Sequence, residues 1–195
     1  MSTPTAERAR DKRTWVWRGQ KLIDESSGAY TGSPQTGPQT GPQAGPQKVL
    51  AYVDGNTLYV GDQTIVLDHS AGTMRWTLRG SLRGGSAAEA DYRMGLRGST
   101  VNKVSATCGE RSYTLDRVNL FSARRLIRAT NGAPVAEISV IRGTSIRVTL
   151  LAELTDRTDR TDEQGAQENA TTLMDLAFMT WGLTLLDAAA RRTLR

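Results

Sequence analysis

From residue 48 to residue 154 the chain alternates apolar and polar positions with a period of two. Turn residues interrupt it roughly every ten positions, the pattern of a meandering antiparallel sheet. The runs begin with VLAYV (49–53) and LYVG (58–61) around Asp54-Gly55-Asn56, a tight hairpin turn. They continue with TIVLD (64–68), TMRWTLR (73–79), YRMGLR (92–97), VNKVSAT (101–107), RSYTLD (111–116), VNLFSA (118–123) and RRLIRAT (124–130). After the Asn131-Gly132-Ala133-Pro134 turn come VAEISVIR (135–142) and SIRVTLLAEL (145–154); WVWR (15–18) and a weak run at 21–24 lead the series. This predicts about a dozen strands, spaced as in a sandwich or a barrel.

Side chains alternate across a strand, so the best runs reveal their faces. Met74, Trp76 and Leu78 oppose Arg75 and Arg79; Tyr92, Met94 and Leu96 oppose Arg93 and Arg97; Ile146, Val148 and Leu150 oppose Arg147. The sheet is half buried, with a cationic wet face.

The period changes at ATTLMDLAFMTWGLTLLDAAARR (170–192), which has the length and composition of a helix and a basic end at Arg191 and Arg192 that suits the helix dipole. At 100° per residue, Leu173, Leu176, Phe178, Met179, Trp181, Leu183, Leu185 and Leu186 spread around nearly the whole circumference. A surface helix shows one apolar stripe; this one needs apolar neighbours on most sides. A bilayer would supply them, but a span needs about 20 apolar residues and Asp175 and Asp187 bracket only eleven. A protein interior fits better. Residues 173–186 measure about 21 Å as a helix, enough to thread a closed barrel.

The strand-turn-strand segment LFSARRLIRATNGAPVAEISVIRG (120–143) and the late helix LMDLAFMTWGLTLLDAAARR (173–192) resemble the tubby-like C-terminal superfamily, which includes the phospholipid scramblases and LURP-one-related proteins. The resemblance covers residues 15–190 at the level of architecture. It implies a mainly β fold, a twelve-stranded closed antiparallel barrel with a buried hydrophobic C-terminal helix, and a non-enzymatic protein associated with lipids. The cysteine cluster of eukaryotic scramblases is absent, and no phosphoinositide-contacting position carries over.

Two low-complexity tracts punctuate this domain. TGSPQTGPQTGPQAGPQ (31–47) spaces proline every fourth residue, which excludes collagen and favours an extended, solvated loop. TDRTDRTDEQGAQEN (155–169) reads as a flexible hydrophilic loop. Its acids lack the ligand spacing and fixed glycine of a calcium loop, and Arg157 and Arg160 oppose a cation, so no metal is expected. The organisation is then a flexible N-terminus at 1–13 and one domain at 14–192, with the helix at 170–192.

One cysteine (Cys108) and one histidine (His69) rule out an intrachain disulfide and leave little for zinc, Cys–His or Ser–His–Asp chemistry. No cofactor motif is present: Gly80-Ser81-Leu82-Arg83-Gly84-Gly85-Ser86 lacks the Lys-Ser/Thr and following helix of a nucleotide loop. No catalytic residue is assigned.

The net charge is +5, and residues 73–128 hold eleven Lys/Arg against four acids. Guanidinium groups suit phosphate, so the candidate ligand-binding patch is Arg75, Arg79, Arg93 and Arg97, joined by Arg124 and Arg125. The plainer reading, and the preferred one on sequence alone, is that the same arginines form a solubilising outer face that also discourages edge pairing. The expected partner is an anionic membrane surface or a phosphorylated ligand, without a transmembrane span, and the expected location is cytoplasmic, peripheral at the inner membrane surface. Nucleic acid is the rival partner. It lacks an exposed aromatic platform among Trp76 and Tyr92, which face inward, and among Trp15 and Trp17, which read as core.

Overall fold

The structure, a computed structural model, describes residues 13–25, 47–70, 75–83, 91–119, 122–141, 145–151 and 163–192, with helix side chains described from 171 to 187. The tract at 31–46, the N-terminus at 1–12 and residues 155–162 lie outside the described residues.

Twelve strands follow one another: β1 (Thr14–Arg18), β2 (Lys21–Asp24), β3 (Lys48–Asp54), β4 (Thr57–Val60), β5 (Gln63–His69), β6 (Thr77–Arg83), β7 (Asp91–Leu96), β8 (Val104–Cys108), β9 (Arg111–Arg117), β10 (Arg125–Ala129), β11 (Pro134–Val140) and β12 (Ile146–Leu150). Each pairs antiparallel with its sequence neighbours, and β1 closes on β12 through Thr14↔Thr149 to Trp17↔Ile146, giving a closed up-and-down barrel. Closure leaves no sheet edge for another chain to pair with.

Four hairpins share one device. Gly19-Gln20, Gly55-Asn56, Gly61-Asp62 and Gly109-Glu110 are two-residue loops, flanked by the pairs Arg18↔Lys21, Asp54↔Thr57, Val60↔Gln63 and Cys108↔Arg111. In each the glycine has φ between 54° and 59°, and no described non-glycine residue has positive φ. Glycine first and an ordinary residue second is the type II′ arrangement, whose twist matches the strands it joins.

The inward positions form one core. Trp76, Leu78, Tyr92, Met94, Ile146, Val148 and Leu150 are buried as the alternation predicts, as are Trp15 and Trp17. An eight-stranded barrel is filled by its own side chains; twelve strands leave a lumen, and helix α1 (Glu163–Arg192) occupies it. None of residues 171–187 is exposed. Helix and wall interlock through two glycines. A Cβ on Gly80 would lie 3.1 Å from Phe178 Cε2 and 2.6 Å from Ile65 Cγ2, and one on Gly182 would lie 2.5 Å from Met94 Sδ. No described helix is long and apolar enough to cross a membrane.

Three boundaries depart from the sequence pattern. The strand expected at 73–79 is β6, which starts at Thr77 after Arg75 and Trp76 and runs on to Arg83; residues 73–74 lie outside the described residues, and inward Gly80, which leaves room for Phe178, carries no hydrophobic signal. Residues 118–119 and 122–124 form the β9–β10 connection instead of a strand: Val118 is exposed, Ser122 N–H donates to Asn119 O, and Ser122 Oγ accepts from Arg124 N–H. The helix begins at Glu163, so residues 163–169, read as loop, are helical.

Candidate functional site

The lumenal stretch of α1 is held by charge at each barrel mouth, through Asp175 and Asp187. At the entry end, Asp175 accepts from Arg111 Nε (2.6 Å), Arg111 Nη2 (2.9 Å) and Tyr113 Oη (2.7 Å). At the far end, Asp187 accepts from Arg125 Nη2 (2.9 Å) and Nε (3.3 Å) and from Arg117 Nη2 (3.3 Å). Arg125 also donates to the carbonyls of Val101 and Leu115. Trp17 Nε1 donates to Thr180 Oγ1 at 2.8 Å between these locks.

The entry-end network shapes its neighbours. Burial, followed by the Asp175 charge, pushes the Tyr92 and Tyr113 phenols well above their usual range, and the same two causes push the Cys108 thiol up. The hydrogen bonds to Asp175 stabilise the charged Arg111 guanidinium. Cys108 is therefore a neutral core thiol, not a nucleophile. Asp175 and Asp187 are about 18 Å apart along the helix. His69 is exposed at the end of β5, opposite Leu78. Among the described residues no cluster of His, Cys, Asp and Glu could hold a metal.

The arginines proposed from sequence divide into three groups. Arg79 and Arg93 are direct cross-strand partners on β6 and β7, both exposed, flanked in register by Asp68 on β5 and Thr107 on β8. Arg93 also pairs with Asp91. Arg75 and Arg97 lie just beyond the same end of the β6–β7 ladder; Ser70 Oγ secures the first turn by donating to Arg75 O and accepting from Thr77 N–H. Arg97 N–H donates to Lys103 O, which brings a third cation to that end. Arg124 stands apart, on the β9–β10 connection, paired with Glu137 at 2.6 Å. Arg125 does not belong to a surface patch at all: its side chain is fully buried and spent on Asp187.

Sequence reasoning missed a stacked pair of outward tyrosines, Tyr52 exposed and Tyr59 half-buried. Tyr52 on β3 and Tyr59 on β4 stack with ring centroids 4.6 Å apart and planes 10° from parallel. Their register row runs Lys21, Tyr52, Tyr59, Thr64, Arg83. The signal was available, because a two-residue Gly55-Asn56 loop pairs 54 with 57 and hence 52 with 59. At the entry mouth a cavity of about 490 Å³ opens between α1 and the wall, bounded by the β4–β5 turn, Leu82, Tyr92, Arg111 and the helix residues Thr171, Leu173 and Met174.

Comparison with known proteins adds no relative. No family model, no curated protein and no solved structure matches the chain.

Proposed function

We propose that the chain is a non-enzymatic, tubby-like barrel that docks on anionic phospholipid through the outer face of β6 and β7. The observation that carries this reading is the pairing of Arg79 with Arg93 in register, with both side chains outward. Like charges directly opposite on neighbouring strands destabilise a sheet, and a phosphate shared between two guanidinium groups offsets that repulsion with paired hydrogen bonds. Arg75, Arg97 and Lys103 extend the positive field toward one end of the ladder, against Asp68 and Asp91 on the same face. The twelve-stranded barrel around a C-terminal helix is also the architecture that the superfamily resemblance implies. Co-sedimentation with vesicles tests the reading: binding is expected to phosphatidylcholine vesicles doped with an anionic phospholipid and not to phosphatidylcholine alone. Equal partitioning to both would exclude it.

A second reading, a nucleic-acid-binding surface, is favoured by one observation, the stacked Tyr52–Tyr59 pair between Lys21 and Arg83. Tyr52 is exposed and Tyr59 half-buried, and aromatics accessible beside cations serve single-stranded nucleic acid as stacking platforms. A salt-sensitive gel shift with a single-stranded oligonucleotide, lost in Tyr52→Ser/Tyr59→Ser, supports it; no shift at low salt removes it.

A further inference from the structure

The cavity at the entry mouth lies away from the ladder end where Arg75, Arg97 and Lys103 gather, and it has a different chemistry. Its volume of about 490 Å³ falls within the ~300–1,000 Å³ of small-molecule sites. The space exists for a local reason: the β4–β5 wall turns back through only Gly61 and Asp62, so no large side chain overhangs the helix there. Its walls are also fixed in advance. Tyr92 is wedged edge-on against Phe178 with ring centroids 5.2 Å apart. Arg111 is clamped by two bonds to Asp175, leaving Nη1 outside that pair.

The lining specifies the class of occupant. Val60, Leu82, Leu173 and Met174 give it an apolar body, and Met is the side chain that adapts most readily to an irregular ligand. Gln63, Thr171 and Arg111 add polar groups for hydrogen bonding. Among the described lining residues the one cation, Arg111, is neutralised by Asp175, and Asp62 adds a negative charge, so none of them offers a free positive charge to an anion. Burying an unpaired charge is expensive. That disfavours fatty acids and anionic headgroups, in contrast with the outer face of β6 and β7.

We infer that this cavity binds an uncharged, single-chain amphiphile of the monoacylglycerol or long-chain alcohol class, chain inward on Leu82, Leu173 and Met174 and hydroxyls toward Gln63 and Arg111. The inference goes beyond the membrane-docking reading and does not depend on it.

Calorimetric titration of the full-length protein with 1-monododecanoylglycerol below its micellar concentration tests the site, with dodecanoate and dodecylamine as charged comparators. Saturable one-to-one binding is expected for the glyceride, at least tenfold tighter than for either comparator. Thr171→Trp, which fills the cavity, should weaken it at least tenfold while the thermal midpoint is kept; Gln63→Ala, at the exposed turn, should weaken it several-fold without touching the core. Three results would each overturn the assignment: no binding because the chain itself covers the cavity, a charged comparator binding as tightly as the glyceride, or full affinity in both variants. Vesicle docking through Arg79 and Arg93 would survive all three.

Discussion

Arg125 and Asp187 form a buried ion pair that joins strand β10 to the far end of helix α1, with Arg125 Nη2 2.9 Å from Asp187 Oδ1 and neither side chain more than 7% exposed. At the entry end Arg111, 44% exposed, joins β9 to the buried Asp175. The helix is thus bolted into the lumen at both mouths by charge and filled between them by apolar packing.

Removing one partner of the far bolt leaves a charge stranded in the core. Asp187→Asn is expected to cost about 3–5 kcal/mol, whereas replacing both partners, Arg125→Met with Asp187→Leu, should recover most of the loss. Urea unfolding of the three proteins checks this. A double variant as unstable as Asp187→Asn would show that the pair itself, and not the unpaired charge, governs stability.

The two interlocking glycines should differ. Gly80→Ala drives a methyl into the branched side chain of Ile65 and against Tyr92 and Phe178, and overpacking of that kind costs about 1–3 kcal/mol. Gly182→Ala meets the flexible thioether of Met94 and gains about 1 kcal/mol of helix propensity, so it should be close to neutral. Thermal midpoints of the two variants report the order directly.

These glycines also show where the sequence was legible and where it was not. Period-two alternation placed Trp76, Leu78, Tyr92, Met94 and Ile146 inside because the sheet has one dry face. The all-round apolar helix announced its own enclosure. Gly80 concealed the true extent of β6, since its contribution to packing is the absence of a side chain. Arg125 was read as surface because nothing in RRLIRAT distinguishes it from Arg124 and Arg128 or signals a carboxylate 62 residues away. The hydrophilic, low-complexity composition of 155–169 masked a helical start at Glu163. The Asp175 cluster and the cavity beside it gather residues from several strands and the helix, and only the closed barrel brings them together.

Alkaline pH probes the entry bolt. The folded values of Tyr92 and Tyr113 are raised, so folding favours their neutral form. The stability they contribute is complete below the unfolded value of about 10 and is lost as pH rises from there toward the folded values. Ultraviolet titration should show these two of the five tyrosines ionising only with unfolding. Their titration near pH 10 in a folded protein would contradict the network. Cys108 should likewise resist alkylation at neutral pH until the protein is denatured.

The helix fills the barrel, so a chain ending at residue 162 has no core for its twelve strands. It is expected to give no cooperative thermal transition. A fragment 1–162 that melts cooperatively with native near-ultraviolet dichroism would show that the strands fold around something else.

The central functional claim rests on Arg79 and Arg93. Vesicle co-sedimentation at fixed salt should therefore compare the unaltered protein with Arg79→Gln/Arg93→Gln and with Arg124→Gln, whose arginine lies on the β9–β10 connection, away from the β6–β7 face. At ~1 kcal/mol per arginine near an anionic surface, the double variant is predicted to bind roughly thirtyfold more weakly, with Arg124→Gln unchanged. Equal binding by all three proteins would contradict the account.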